Sequence, residues 1–383
     1  MLRTLLALTA LIATTLSAAA FETSAKAAYV MDQTTGTVLL AKNADQPLPP
    51  ASMSKLMTLY MAFEAVEKGV LDLDQELTVS EHAMSYGGST MFLAAGERVS
   101  VEDLIRGIIV LSGNDACVVI AEALGGTEAK FSRDMTTRAV QMGMTNSTFT
   151  NSNGWPKAGH RMSMRDLGLL ANRIITDYPQ FYPLFAEKEF LFDTKESQNR
   201  YNRNPLLTLG IGADGLKTGH TQEAGYGLVG SAKQGDRRII FVINGLGTAQ
   251  ARAQESESIV NWAFRQFTQT ELGKAGQKIA EAEVTTGSET TVGLELAEDL
   301  NVLIPTIGAT GLNAEVIYEG PVRAPIAKGQ ELGELVVSPE GLPETRVPLV
   351  ADRDIGKYGF VARMQAVALH LLTRLNQGPE GAT

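Results

Sequence analysis

The sequence predicts an α+β fold: an antiparallel sheet flanked by helices, with a helical insert, then a small all-β sandwich and a C-terminal amphipathic helix. Three observations predict it. Strand-like segments occur near residue 30 and again after residue 214, with a helix-rich stretch between them. Beyond about Thr270, short alternating segments separated by Gly and Pro replace the helical pattern. The final segment has apolar residues at helical spacing.

The composition is that of a globular protein with a sizeable core. The chain has 383 residues, enough for two domains, with 44% hydrophobic and 20% charged residues. Its formal net charge of -10 argues against nucleic-acid binding, because phosphate contacts need a basic surface. The single cysteine, Cys117, excludes an internal disulfide and a multi-cysteine zinc site. The histidines do not pair at metal-ligand spacing, so we expect no metal and no other cofactor.

Residues 1–20 have the features of a secretory signal peptide. Arg3 provides a positive start, an apolar run follows at 5–16, and small residues occupy 17–20. We therefore expect cleavage near Phe21 and a mature protein outside the cytoplasm. No other segment has 18 or more apolar residues in a row, so no further membrane span is predicted.

Residues 21–270 are predicted to form the main domain. Ala27–Asp32 and residues 37–41 flank a glycine-containing loop, which is typical of a hairpin. Helices are expected from about residue 52 to 175, and residues 254–267 have an amphipathic helical pattern. Strand patterns return at 215–219, 225–232 and 238–243. We expect the N-terminal hairpin to pair with these later strands in one antiparallel sheet with helices on both faces.

Residues 271–353 are predicted to form a β-rich domain. Its expected strands lie at 279–284, 300–304, 314–318, 322–326, 332–337 and 345–350. No grouping of Ser, His, Asp or Cys suggests chemistry there. We therefore expect a non-catalytic module that sets the distance between the main domain and the terminal helix.

Residues 354–378 are predicted to form an amphipathic helix. From 355 to 379 the chain has no acidic residue, and Lys357, Arg363 and Arg374 are its fixed charges. An in-plane membrane anchor has this pattern, with an apolar face in the acyl boundary and cations toward anionic headgroups. A helix docked on a domain core has the same periodicity, and the sequence alone leaves both interpretations open.

Ser52 and Lys55 lie one helical turn apart at the start of a predicted helix that follows Pro49 and Pro50 and ends near Gly69. A serine hydroxyl needs a base beside it to become a nucleophile, and a buried lysine with a neutral amine can be that base. The helix dipole and the free first-turn N–H groups would stabilise negative charge there. A serine N-cap followed by a surface lysine is the alternative for so short a pattern.

Ser112, Gly113 and Asn114 interrupt an apolar helical run. Such an interruption destabilises a helix, by about 1 kcal/mol for the glycine alone. A hydroxyl and a carboxamide that face a cleft between helices would explain it. A turn between two helices, capped by the asparagine, would explain it equally well.

Lys217, Thr218 and Gly219 lie on a predicted strand. Glycine in a strand allows another backbone or a ligand to approach closely, and a lysine there could attract a carboxylate. A protective lysine on a hairpin edge is the alternative.

Taken in order, Ser-x-x-Lys, Ser-x-Asn and Lys-Thr-Gly resemble the signature set of penicillin-recognising serine enzymes. The chain is most similar to the low-molecular-mass penicillin-binding proteins that are D-alanyl-D-alanine carboxypeptidases, along its whole length. The resemblance implies a β-lactamase/transpeptidase-like catalytic domain and inhibition by β-lactam antibiotics. It also implies a peripheral location at the periplasmic face of the inner membrane, held at the membrane surface by the terminal helix.

The resemblance further implies a role for each residue in acylation. Ser52 attacks the carbonyl of the terminal D-Ala-D-Ala bond of a peptidoglycan pentapeptide stem, and Lys55 takes its proton. Ser112 relays a proton to the leaving D-alanine, and Asn114 holds the peptide amide. Water then hydrolyses the ester. We expect a structural role for the His160 side chain rather than a role as base.

The remaining residues are implied to bind the substrate. Lys217 and Thr218, with Gly219 on the same strand, bind its carboxylate. The backbone N–H groups of Ser52 and His220 form the oxyanion hole. Arg252 adds positive charge to the carboxylate site. The His220 side chain, like that of His160, is expected to be structural.

Four alternative functions differ in what they require of the sequence. A class A β-lactamase needs a glutamate on the loop between the second and third motifs, and residues 153–161 contain no acid. A D,D-endopeptidase that cuts crosslinks would use the same centre. A non-catalytic wall- or membrane-binding protein would be expected to lose a motif residue, and all are present. A Ser-His-Asp hydrolase is disfavoured because no G-x-S-x-G sequence occurs.

Overall fold

The structure is a computed structural model that describes residues 21–192, 198–306 and 311–357. They form two compact units, one ending at Gln266 and one beginning at Phe267. The predicted signal peptide lies outside the described residues, as does the predicted terminal helix from residue 358 onward. Within the described ranges, no helix is both long enough and apolar enough to cross a membrane.

The first unit has a central five-stranded antiparallel sheet and a separate strand pair. Its strands are β1 (Ala27–Asp32), β2 (Val38–Lys42), β3 (Glu76–Thr78), β4 (Arg98–Ser100), β5 (Ala213–Thr221), β6 (Gly225–Gln234) and β7 (Arg237–Leu246). The order in the large sheet is β2-β1-β7-β6-β5, so the N-terminal hairpin pairs with the later strands as predicted. The pair β3–β4 was not predicted.

The helices of this unit lie between β2 and β5 and after β7. They are α1 (Lys55–Glu67), α2 (Glu81–Met84), α3 (Val101–Arg106), α4 (Asn114–Gly125), α5 (Glu128–Gln141), α6 (Met164–Asp177) and α7 (Ala249–Gln266). A π-helical turn at Gly107–Leu111 follows α3, and 3-10 turns occur at Ala51–Ser54, Tyr182–Ala186 and Pro205–Thr208.

The large sheet is buried on both faces because its side chains alternate between two hydrophobic clusters. Tyr29 and Val242 belong to the cluster formed with α1 and α3–α6. Val30 and Ile243 belong to the cluster formed with α7, which contributes Ile259 and its neighbours. The unit therefore has three layers, which confirms the predicted sheet with helices on both faces.

The second unit is all β in its described part. Its strands are β8 (Phe267–Gly273), β9 (Lys278–Thr285), β10 (Thr291–Leu296), β11 (Leu300–Pro305), β12 (Leu312–Tyr318), β13 (Val322–Arg323), β14 (Glu331–Pro339) and β15 (Thr345–Ala351). Six form one sheet in the order β12-β14-β15-β10-β9-β13, and β8 pairs with β11. The two sheets share a buried apolar cluster, which confirms a small β domain.

Three details of this unit correct the sequence prediction. Strands β8 and β10 were missed. Strand β13 stops at Arg323 instead of 326, since Pro325 has no N–H group to donate to a neighbouring strand. Ile355 and Lys357 form β-bridges to Ile326 and Gly287, so the chain is extended up to Lys357 and the predicted helix does not begin at 354.

Candidate active site

Ser52 lies on the 3-10 turn that leads into α1, and Lys55 is the first residue of that helix. Ala51, just before Ser52, has a positive φ of 50°, which is unfavourable for a residue with a Cβ atom. Gly154 lies against this turn, because a Cβ atom there would be 1.9 Å from the Ala51 oxygen. Close contact with the loop around Gly154 therefore fixes the backbone that carries Ser52.

Lys55 is completely buried and makes three hydrogen bonds. Its Nζ donates to Ser52 Oγ at 2.9 Å, to Asn114 Oδ1 at 2.7 Å and to the Asn153 carbonyl oxygen at 2.6 Å. The structure thus brings the two residues of the first motif together. It excludes the alternative in which Lys55 is a surface lysine.

Burial lowers the pKa of Lys55 from 10.5 to about 8, because a charged ammonium is poorly solvated there. Cys117 and Asp115 oppose this shift, and the positive charge of Arg203 adds to it. The lower pKa increases the fraction of molecules that carry a neutral amine beside Ser52 at neutral pH. A neutral lysine amine is a base.

The Ser-x-Asn motif lies where two helices meet. Ser112 follows the π-helical turn with a positive φ of 62°, and Asn114 begins α4. Ser112 is therefore not helical, and the predicted turn between helices is confirmed. The predicted cap by the asparagine is wrong, because the N-cap of α4 is Gly113 and no side chain caps this helix. Both side chains also line cavities beside Ser52, as the cleft interpretation predicts. Asn114 accepts from Lys55 and donates from Nδ2 to the Gly87 carbonyl oxygen at 2.7 Å.

The Lys-Thr-Gly motif lies on β5, beside the turn that carries Ser52. A Cβ atom on Gly219 would be 3.0 Å from both the Pro50 oxygen and Met53 Cγ, so only glycine lets the strand lie this close. Lys217 and Thr218 are buried.

His220, the next residue on the strand, is exposed. Its ring stacks on Tyr226 with centroids 3.8 Å apart. This contact gives the His220 side chain a structural partner at the wall of the site.

Two cavities meet at Ser52. One, of about 670 Å³, is lined by Asn114, Asn153 and Trp155 among others. The other, of about 380 Å³, is lined by Ser112, Thr218 and Arg252 among others. Ser52 and His220 line both. A substrate that occupied both cavities would have its reacting bond over Ser52.

Three cations lie at or next to the smaller cavity, and we call Arg203, Lys217 and Arg252 the cationic lobe. Arg203 and Arg252 line this cavity, and Lys217 directly precedes Thr218, which also lines it. Lys217 and Arg252 are buried, whereas Arg203 is exposed. Arg203 donates to Ser89 Oγ at 2.7 Å and to the Leu111 carbonyl oxygen. Arg252 Nη2 donates to the Arg203 carbonyl oxygen at 3.3 Å. Throughout the described ranges, no carboxylate lies within ion-pair distance of the three.

Loss of solvation lowers the pKa of all three cations of the lobe, that of the buried Lys217 to well below its ordinary range. Repulsion by Arg203 lowers the pKa of the other two further. An anionic ligand such as a carboxylate would relieve both effects, because it supplies the missing opposite charge.

Several residues of the site were not predicted from the sequence, and two of them contact the groups that carry the chemistry. Arg203 lies in the irregular segment before the Pro205–Thr208 turn, and Asn153 takes part through its backbone carbonyl. Neither belongs to a motif, and a backbone acceptor has no signature in sequence. All predicted residues of the three motifs, with His220 and Arg252, lie at the site.

His160 is buried close behind the site. Burial lowers its pKa from 6.5 to about 4, so the ring is neutral, and its Nδ1 accepts from the Thr150 N–H at 3.2 Å. No cluster of three or more His, Cys, Asp or Glu residues suited to a metal occurs in the part of the chain that the structure describes.

Comparison with known proteins agrees with this geometry. Residues 13–248 match the family model described as D-alanyl-D-alanine carboxypeptidase. The chain belongs to this family. Residues 267–357 match the model described as penicillin-binding protein 5, C-terminal domain, so the second unit is typical of such carboxypeptidases as well. This carboxypeptidase is accordingly a serine-type hydrolase, with the transpeptidase-like fold of its structural relatives.

Individual relatives cover most of the chain. The D-alanyl-D-alanine carboxypeptidase DacC of Escherichia coli is 36% identical over 89% of this chain and 86% of its own. Penicillin-binding protein 5 of Haemophilus influenzae superimposes with a TM-score of 0.78 at 35% identity, over 88% of this chain and 98% of its own. Penicillin-binding protein D2 of Listeria monocytogenes, in its ampicillin-bound form, superimposes with a TM-score of 0.57 at 32% identity over 63% and 98%.

Proposed function

We propose that Ser52 is the nucleophile with which this carboxypeptidase removes the terminal D-alanine from peptidoglycan pentapeptide stems. One observation carries the proposal: Lys55 Nζ lies 2.9 Å from Ser52 Oγ in a fully buried position that lowers the pKa of the amine to about 8. The neutral amine takes the hydroxyl proton as the oxygen attacks the carbonyl of the D-Ala-D-Ala bond.

The resulting oxyanion would be bound by backbone N–H groups. The Ser52 N–H belongs to the first turn, where no intrahelical acceptor is available, and the His220 N–H lies on the adjacent wall. Ser112 relays the proton taken up by Lys55 to the departing D-alanine nitrogen, which restores the neutral amine and the Ser112 hydroxyl. The peptide bond breaks, and an ester is left on Ser52. Asn114 keeps one Nδ2 hydrogen for the substrate amide, because Lys55 and Gly87 occupy its other groups.

The C-terminal carboxylate of the stem would bind in the cationic lobe, with the Thr218 hydroxyl beside it. The lobe offers positive charge, buried at Lys217 and Arg252, without an acidic partner from the described residues. A free carboxylate is the feature that distinguishes a carboxypeptidase substrate. Water then hydrolyses the ester and releases the shortened stem. The same cavity suits the carboxylate of a penicillin, in line with the ampicillin-bound form of the Listeria relative.

A labelled penicillin tests the assignment. We expect one label per chain, and mass mapping should place it on the peptide that contains Ser52. The enzyme should also release D-alanine from a diacyl-D-Ala-D-Ala peptide faster than it hydrolyses the penicillin. Label on another peptide would refute Ser52 as nucleophile, and cleavage of crosslinked stems without D-alanine release from the free peptide would make the chain a D,D-endopeptidase.

We further propose that the protein is exported through its signal at 1–20 and attached to the periplasmic face of the inner membrane by the amphipathic segment after Lys357. The support is the acid-free, cationic and apolar pattern of this segment. Truncation after Lys357 should therefore release a soluble enzyme with full activity. A truncated protein that still sediments with membranes would contradict this attachment.

A further inference from the structure

Glu128 is a buried carboxylate that lies behind the site. It is the first residue of α5 and only 8% exposed, yet it does not line either cavity. Its Oε1 accepts from the Ser152 N–H at 2.9 Å and from Ser152 Oγ at 2.7 Å. Its Oε2 accepts from the Tyr86 hydroxyl at 2.8 Å and lies 2.9 Å from His82 Nε2.

Each oxygen of Glu128 therefore holds a different segment of the chain. Ser152 directly precedes Asn153, whose carbonyl oxygen accepts from Lys55 Nζ. Tyr86 directly precedes Gly87, whose carbonyl oxygen accepts from Asn114 Nδ2.

The two segments converge on one atom. The Asn153 carbonyl and Asn114 Oδ1 are two of the three acceptors around Lys55 Nζ, and the third is Ser52 Oγ itself. Glu128 thus binds the residue next to each of two carbonyl groups: that of Gly87, which orients Asn114, and that of Asn153, which orients the Lys55 amine.

The charge state of Glu128 suits this role. Burial opposes its ionisation, but hydrogen bonds from Ser152, His82 and Tyr86 together hold the pKa of its carboxyl below the usual range. An ionised carboxylate accepts at both oxygens, whereas a protonated acid or an amide has one oxygen fewer free to accept. The Tyr86 hydroxyl stays a donor, because burial and the charge of Glu128 raise its pKa.

We propose that Glu128 is a positioning residue for acylation, which holds the segments at Tyr86 and Ser152 so that the Lys55 amine stays aimed at Ser52. The inference rests on the proposed roles of Ser52 and Lys55. It assigns to Glu128 no contact with substrate. It predicts that loss of its second acceptor lowers the rate of acylation but leaves recognition of the substrate carboxylate intact.

The variant Glu128→Gln tests this inference, because it keeps the size of the side chain and replaces one acceptor oxygen with a donor. We expect the first-order rate constant for acylation by penicillin to fall by roughly 10- to 100-fold, as for a displaced catalytic group. The dissociation constant of the non-covalent complex should change less than about twofold. The number of labelled sites per folded chain should stay at one.

Two further variants separate positioning from folding. Asp32, on β1, has a fully buried carboxylate that binds Thr35 and Arg237. The variant Asp32→Asn removes this carboxylate, so it should lower the melting temperature but leave the acylation rate unchanged. Tyr86→Phe removes one donor to Glu128 and should slow acylation several-fold. In the double variant with Glu128→Gln it should add little, because both act through the same contact.

Three outcomes would overturn the inference. One is an acylation rate of Glu128→Gln within twofold of the unaltered enzyme. Another is that a smaller fraction of the Glu128→Gln molecules becomes labelled but that these molecules react at the original rate, since this pattern shows a role in folding only. If Glu128→Gln does not fold, an unchanged rate in Tyr86→Phe overturns it instead. Failure of the unaltered enzyme to become labelled on Ser52 would refute the proposed function first.

Discussion

The surroundings of Lys55 and the cationic lobe both place basic side chains beside Ser52, but they hold them in opposite ways. Lys55 Nζ has three acceptors at 2.6 to 2.9 Å. In the lobe, Lys217 Nζ has the Thr218 carbonyl oxygen at 3.3 Å, and Arg252 Nη2 has the Arg203 carbonyl oxygen at 3.3 Å. The first arrangement fixes one amine in one place. In the second, Ser89 and the Leu111 carbonyl oxygen hold Arg203, but Lys217 and Arg252 have no closer partner than 3.3 Å among the described residues.

This difference follows from what each region has to do. A base must keep its position while it gains and loses a proton. Neutral acceptors suit the Lys55 amine because they hold it in place, whereas a carboxylate would also keep it charged. A binding site for an anion must instead keep its hydrogen-bonding capacity free. Buried cations without counterions destabilise the folded protein, and a bound carboxylate offsets that cost. The lobe therefore lowers the stability of the folded protein locally, at a place where a bound ligand would supply the missing negative charge.

Replacement of the base should have the largest effect. Lys55→Met keeps an unbranched side chain of similar length but removes the amine, so we expect acylation by penicillin to slow by at least about 10³-fold. In the unaltered enzyme the acylation rate should rise with pH through about 8, because the fraction of neutral Lys55 rises there. Stopped-flow acylation across this range measures both, and the rise should vanish in Lys55→Met.

Lys68→Met is the matched control for this variant. Lys68 lies at the C-terminal end of the same helix with its side chain 63% exposed, so its loss should change neither the rate nor the pH profile. Acylation of Lys55→Met at the original rate would show that another group removes the Ser52 proton. The difference between the surroundings of Lys55 and the lobe would then not reflect a role of Lys55 as the base.

The two regions also differ in how far the sequence predicts them. Ser52 and Lys55 were paired correctly because helical spacing places residues three apart on one face. The lobe was only partly predicted. Arg252 was expected, but Arg203 comes from a loop that reaches the site by tertiary folding, which local patterns do not encode. Glu128 was missed for the same reason, since it lies at an ordinary helix start and acts on segments distant in sequence.

The β-rich unit shows a second kind of miss. In β10, Val292, Leu294 and Leu296 are buried and alternate with other residues, so this strand does have the period-2 pattern that predicts a strand. In β8 the sequence is mostly polar, and Phe267 had been assigned to the preceding helix. Its pairing with β11 is long-range, and such pairing overrides weak local propensity.

Replacement of Arg252 in the lobe should have a smaller effect on the reaction than replacement of Lys55. Arg252→Gln removes one cation of the lobe while Lys55 and its acceptors stay in place. The KM for a diacyl-D-Ala-D-Ala peptide should rise by roughly 10-fold, the size of one charge-assisted hydrogen bond. The kcat should change by less than about threefold, because the carboxylate is held equally in the ground state and the transition state. Steady-state kinetics of D-alanine release measures both.

The split between KM and kcat decides whether the two regions are separate in function. Arg133→Gln removes the same charge from an exposed position on α5, so it corrects for any long-range effect of net charge on an anionic substrate. If Arg252→Gln lowered kcat at constant KM, the guanidinium would act on the reacting centre rather than on the carboxylate. A rise in KM alone would instead mean that the lobe binds the substrate carboxylate and takes no part in the reaction at Ser52. The neutral amine of Lys55 would then act on the Ser52 proton independently of the lobe.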